Sequence, residues 1–133
     1  MKEKILKQNI ENLGEALQRL REALNKGRKS KLEIDGTIQR FEFTIELFWK
    51  TLKRALETQS IFTTTPKETL QKAFQLGWLM DEVAWLQMMK DRNETSHVYD
   101  QAVANRIYKN IKSYFPEMEQ VFNNMNLRFK NEN

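Results

Sequence analysis

Cysteine is missing from all 133 residues. That excludes disulfides and thiolate metal sites, and it fits a reducing compartment, so a cytoplasmic protein is expected. Histidine occurs once. With one imidazole and no thiolate, only carboxylate metal sites stay open, and Asp81, Glu82 and Asp91 are spaced like solvated helix residues, so no metal site is expected. Glycine occurs four times and proline twice, which leaves few forced breaks and favours long helices. There is no glycine-rich phosphate loop, so the chain is expected to bind no ATP and to carry no cofactor of its own. No apolar run approaches 18 residues, which argues against a membrane span. The opening "MKEKILKQNIENLGEAL" has neither the apolar core nor the cleavage site of a signal peptide.

Neither sign of charge dominates. Twenty-two basic residues are interspersed with 18 acidic ones for a net charge of +4, a balance that permits nucleic-acid binding without requiring it. The one concentrated patch is "NKGRKSK", with Lys26, Arg28, Lys29 and Lys31. It reads as a phosphate contact or as a solvated loop between helices. With 40% hydrophobic and 30% charged residues, the chain has the balance of a globular protein, and its length predicts one domain over 1–133.

The helical periodicity is clear. Leu6, Ile10, Leu13, Leu17, Leu20 and Leu24 step by four and three, and Gly27 marks a stop. A second helix is predicted from Asp35 as N-cap, with Ile38, Phe41, Ile45, Phe48, Leu52 and Leu56 on one face. Joined by a short loop, the two predict an antiparallel hairpin. Phe43, Leu47 and Trp49 lie off that stripe, as expected for a helix central to its bundle or one facing another subunit. Thr65, Pro66 and Glu68 predict a capped third helix that Gly77 ends. A fourth is expected from about residue 79, with Leu79, Val83, Leu86 and Met88 or Met89 inward and Trp78 and Trp85 as core filler. The last runs from about Asp100 and should kink or restart at Pro116. Residues 129–133 are expected to fray. No strand pattern or repeat is present, so the fold class is an all-α up-and-down antiparallel bundle of four to five helices.

The single histidine lies in "KDRNETSHVYD", between the fourth and fifth helices. Arg92 and His97 are about 500° apart on a continuous helix, leaving them roughly 140° from a common face. The chain must turn between them to bring them together, and "NETS" is turn and cap chemistry. Histidine as a residue type suits proton exchange with a ribose 2′-hydroxyl or a leaving 5′-oxygen. A guanidinium can neutralise the charge of a phosphorane-like transition state. Acid and base roles usually need two groups, which a symmetric dimer would supply from two copies of one histidine. From the residues alone, a structural loop histidine and a tyrosine that packs its ring at a helix start stay open as readings.

Arg92-Asn93, His97 and Tyr99 together resemble the R-N-x-x-x-H-x-Y signature of HEPN domains, and "DRNETSHVYD" is similar to the subgroup of nucleotidyltransferase substrate-binding proteins. The resemblance covers nearly the whole chain in helix order. It implies a HEPN-like bundle in which Arg92 and His97 are the ribonuclease residues of a toxin and Asn93 helps orient them. It also implies that Tyr99 accepts AMP from a partner minimal nucleotidyltransferase, and that two copies form a homodimer around a shared groove. Glu94, Thr95, Ser96 and Asp100 match no family role. The leading expectation is a HEPN toxin acting as a metal-independent endoribonuclease on RNA. A non-catalytic substrate-binding subunit of a two-component nucleotidyltransferase is the alternative, and a purely structural dimerisation module is the third.

Overall fold

Side-chain periodicity becomes five helices in the computed structural model, which describes residues 2–26 and 30–129. They are α1 (Lys2–Asn25), α2 (Lys31–Thr58), α3 (Pro66–Gln75), α4 (Glu82–Glu94) and α5 (Gln101–Phe129), with a 3-10 turn over Thr95–His97 before the last. No strand is present among the described residues. No described helix is long and apolar enough to cross a membrane. The expected stop at Gly27, and Arg28 and Lys29 of the basic patch, lie outside the described residues.

The stripe on α2 is buried throughout, from Ile38 to Leu56, and on α1 from Leu6 to Leu20. Cross-helix contacts give the directions. Arg40 Nη1 donates to the Arg19 carbonyl at 2.7 Å, while Thr44 Oγ1 reaches that of Ala16 at 3.5 Å. The register therefore falls on α1 as it rises on α2, the antiparallel hairpin expected. On α5, Glu94, Asp91 and Trp85 of α4 meet Arg106, Tyr114 and Glu117 in that order, so α4 and α5 form a second antiparallel hairpin. α2 joins the two hairpins: Phe48 meets Trp85 edge-on with ring centres 4.8 Å apart, and Phe41 lies 6.1 Å from Tyr114. Aromatic pairs of this kind add to the burial that holds helices in place. The up-and-down bundle is thus present, with α3 as its short member.

Several boundaries differ from expectation. α2 begins at Lys31, not after Asp35, because Ser30 and Glu33 cap it reciprocally: the Ser30 hydroxyl accepts from the Glu33 N–H, and the Glu33 carboxylate from the Ser30 N–H. Thr65 caps α3 as expected, but the Glu68 carboxylate reaches back to the Thr64 N–H, one residue earlier than a capping box predicts. Gly77 ends the segment with φ of +79°, a conformation glycine adopts without strain. α4 starts three residues later than expected, with Asp81 accepting from the Ala84 N–H. Val83, expected inward, is consequently 77% exposed.

α5 does not restart at Pro116 but continues through it. Proline inside a helix costs about 3 kcal/mol through a lost hydrogen bond and a clash. Tyr114, Met118, Val121 and Met125 flank it, all buried, and each such side chain recovers roughly 1.5–3 kcal/mol. Burial outweighs the break. The same packing holds Phe129, expected to fray: it is 7% exposed and meets Trp78 edge-on at 5.2 Å. Residues 130–133 lie outside the described residues.

Candidate active site

α4 ends two residues beyond the arginine, at Glu94. The Thr95 hydroxyl donates to the Arg92 carbonyl at 2.7 Å, and the Thr95 backbone N–H turns to the same oxygen, tightening the last turn. The 3-10 turn follows, and Val98 packs on the core behind it. The Asp100 N–H then bonds the His97 carbonyl at 3.1 Å while the Asp100 carboxylate accepts from the Ala102 N–H at the start of α5. The chain therefore leaves α4 and enters α5 within one short bend. That bend breaks the continuous helix between Arg92 and His97.

The four signature residues form two pairs. Arg92 Nη1 donates to Asn93 Oδ1 at 3.2 Å. His97 Nδ1 lies 3.3 Å from the Tyr99 hydroxyl, with the rings nearly perpendicular and 5.9 Å apart. The two pairs share no hydrogen bond among the described residues. Tyr99 is 84% exposed, so it does not pack its ring as a tyrosine at a helix start commonly does. His97 is exposed beside it. Tyr114 is buried and Tyr108 half-buried, as bundle residues should be.

Arg92 has a second partner that was not legible in the sequence. Its Nη2 donates to both carboxylate oxygens of Glu46, at 3.0 Å to Oε2 and closer to Oε1. Glu46 lies on α2, and its Oε1 also accepts from the Trp49 indole at 2.9 Å. Trp49 is half-buried, whereas Phe43 is 57% exposed on the α1 side. There Phe43, Leu47 and Glu46 line a groove of about 660 Å³ with Arg19 and Arg40.

Asp91, expected to be solvated, is fully buried. It accepts from the Tyr114 hydroxyl at 2.6 Å, from Asn110 at 3.0 Å and from Gln87 at 3.4 Å. A carboxylate can be buried only when donors replace its water, and α5 supplies two of the three. The available signal was its position three residues after Met88, on the face that packs inward. Close by, Glu94 bonds Arg106 and holds that guanidinium above its ordinary value. The residue before Arg92 and the one two beyond it are thus each tied to α5. No group of three His, Asp or Glu side chains is arranged to hold a metal among the described residues.

Lys26 and Lys31, the described members of the basic patch, lie elsewhere. Lys31 opens α2, and the fifteen-residue separation from Glu46 corresponds to about 22 Å along the helix axis. Lys26 is 3.7 Å from Glu33 and largely exposed.

A family described as "Nucleotidyltransferase substrate binding protein like" matches residues 8–127. The chain is 37% identical over 89 residues to a Haemophilus influenzae protein named "Probable ribonuclease HepT", a match covering 63% of this chain. It spans only about three-fifths of that relative, 61%. Among solved structures, a Thermus thermophilus protein superposes with a TM-score of 0.80 at 34% identity, covering 85% of this chain and 98% of the other. A Haemophilus influenzae protein, described as revealing the fold of a substrate binding domain of a nucleotidyltransferase, superposes with a TM-score of 0.67 at 28% identity. That match covers 91% of this chain and 96% of the other.

Proposed function

The chain belongs to the nucleotidyltransferase substrate binding protein like family, and from that premise we propose that it is a HEPN-type ribonuclease. In this reading it is the toxin of a two-gene pair, cleaving RNA in the cytoplasm without a metal ion and restrained by a separately encoded minimal nucleotidyltransferase. One observation carries the reading: the bend between α4 and α5 presents a tethered guanidinium at Arg92 and an exposed imidazole at His97, within one eight-residue signature.

The chemistry follows from those groups. His97 takes the proton from a ribose 2′-hydroxyl, and O2′ forms a bond to the adjacent phosphorus. The P–O5′ bond breaks, and the leaving oxygen takes a proton from the histidine of a second protomer. The products are a 2′,3′-cyclic phosphate and a 5′-hydroxyl. Arg92 faces the non-bridging oxygens, where charge builds in the transition state, and Asn93 holds the guanidinium edge. One histidine per chain makes the homodimer part of this proposal. Lys26 and Lys31 serve as a phosphate contact remote from the bend, a role that the sequence offers to Arg28 and Lys29 as well.

Tyr99 fits the role of AMP acceptor, since its ring is 84% exposed and its hydroxyl already meets His97. Its phenolic oxygen would attack the α-phosphorus of ATP held by the partner enzyme, and pyrophosphate would leave. The product places a charged nucleotide directly over the imidazole and removes its hydroxyl partner. Cleavage would stop.

A non-catalytic substrate-binding subunit is the second reading, in which the bend holds a phosphate group without cutting it, and the likeness to a structure described as the substrate binding domain of a nucleotidyltransferase favours it. Expression of wild type and His97→Ala in a bacterial host, with and without a neighbouring nucleotidyltransferase, separates the two. Growth arrest with RNA loss that disappears in the variant and is relieved by the partner supports the toxin. Harmless expression of both forms sinks it in favour of the binding subunit.

A further inference from the structure

Arg92 has five N–H protons, and its neighbours determine which of them can meet a substrate. Nη2 is committed to Glu46 and one Nη1 proton to Asn93. Among the described residues no acceptor takes the Nε proton or the second Nη1 proton. A guanidinium held through both Nη atoms has its plane fixed, and its two remaining donors, Nε–H and one Nη1–H, leave from different edges of that plane. Arginine otherwise has four rotatable bonds to order when it meets a phosphate, and a side chain ordered beforehand avoids that loss in the transition state. Glu46 can perform the ordering because it is itself held: the Trp49 indole donates to Oε1 from one turn further along α2.

A purely structural role accounts poorly for this pair. The two charged side chains are 28% and 31% exposed, so the pair is part-buried with water still reaching it. α2 and α4 are already joined by Phe48 against Trp85, so the bundle does not need this pair to assemble. The pair does reach the one arginine of the signature, from a helix that carries none of the signature residues.

We propose that Glu46, anchored by Trp49, is the positioning residue for Arg92: it fixes the plane of the guanidinium, so that a donor left free is held ready for the scissile phosphate. This rests on the ribonuclease reading and assigns a second helix, α2, to the site. Glu46 touches no substrate in this scheme and acts only through Arg92.

The test uses the full chain and a defined single-stranded RNA oligonucleotide, comparing wild type, His97→Ala, Glu46→Gln and Trp49→Phe. The Glu46→Gln exchange keeps shape and an acceptor for Trp49 but removes the charge that grips Arg92. It should lower kcat by about tenfold or more with KM changed less than about threefold. Trp49→Phe keeps the ring and removes the donor, and should give a smaller fall in kcat. Melting temperatures of both should stay near wild type. In parallel, nitrogen-15 spectra of the Arg92 side chain should show separate, slowly averaging Nη signals in wild type and averaged ones in Glu46→Gln.

Unchanged or faster cleavage by Glu46→Gln, with His97→Ala inactive, overturns the positioning role while leaving the ribonuclease reading intact. Absence of cleavage by wild type overturns the ribonuclease reading. The positioning of Arg92 then stands or falls on the nitrogen spectra, and averaged signals in wild type would overturn it.

Discussion

The Tyr114 hydroxyl donates to the Asp91 carboxylate at 2.6 Å, deep in the contact between α5 and α4 and one residue before Arg92. Both residues are buried, and Asn110 and Gln87 occupy the rest of the carboxylate. A hydrogen bond to a charged group contributes about 1.5–3 kcal/mol, and leaving a buried donor unpaired costs as much again. Tyr114→Phe should therefore destabilise the chain by about 2 kcal/mol in urea unfolding. Asp91→Ala should cost more, since it strands the phenol and the Asn110 amide together. The double variant should cost less than the sum of the two, by a coupling of about 1 kcal/mol or more. Additive losses would mean that the contact contributes nothing of its own.

The same contact gives the stability a dependence on alkaline pH. Burial first, then the hydrogen bond to Asp91 and the charge of that carboxylate, hold Tyr114 far above the ordinary tyrosine value. Tyr108 is shifted the same way by burial and by Glu33. The folded state thus keeps protons that the unfolded chain releases above about pH 10. Stability from this source is complete below that pH and is lost as pH rises toward the folded values. Unfolding midpoints taken between about pH 8 and 11 should fall at the alkaline end, and Tyr114→Phe should flatten the fall. An equal slope in the variant would assign the effect to other groups.

The bundle was legible because burial is periodic. Spacing alone picks out the α2 stripe residue by residue, and every member is buried. Local signals mislead where tertiary packing decides the outcome. Pro116 reads as a break, yet the buried residues around it hold α5 together. Asp35 attracts the N-cap because it precedes the apolar run, although "SKLE" at 30–33 carries the capping box. The signature was legible because it is contiguous, although the structure leaves it as two separate pairs, Arg92 with Asn93 and His97 with Tyr99. Glu46 and Asp91 were not. The first meets Arg92 from another helix, across forty-six positions that no spacing rule connects. The second has a charge that argues for solvent until its donors on α5 are known.

Gly14 marks a close approach that composition alone could not reveal. A Cβ built there would stand 2.9 Å from Phe122 Cζ, where α5 crosses α1. Alanine would gain about 1 kcal/mol of helix propensity. The clash falls on the end of a ring that must then turn or withdraw, and overpacking of this kind costs about 1–3 kcal/mol. Gly14→Ala should therefore be neutral to destabilising rather than stabilising, whereas Gly36→Ala, with nothing within 4 Å, should stabilise α2. Thermal melts of the two variants side by side decide this. A higher melting temperature for Gly14→Ala would show that Phe122 yields at little cost.

Tyr99→Phe separates modification from folding. Tyr99 is 84% exposed, and among the described residues its one side-chain polar contact is the hydroxyl facing His97. Stability should change by less than about 0.5 kcal/mol, as for most surface exchanges. If Tyr99 accepts AMP, mass spectrometry after incubation with the partner nucleotidyltransferase, ATP and magnesium should show one added AMP per wild-type chain and none in the variant. RNA cleavage by the variant should persist and become insensitive to the partner, because the oxygen that would carry the block is gone. Continued inhibition of Tyr99→Phe by an active partner would move the acceptor to another residue or replace covalent control with simple binding.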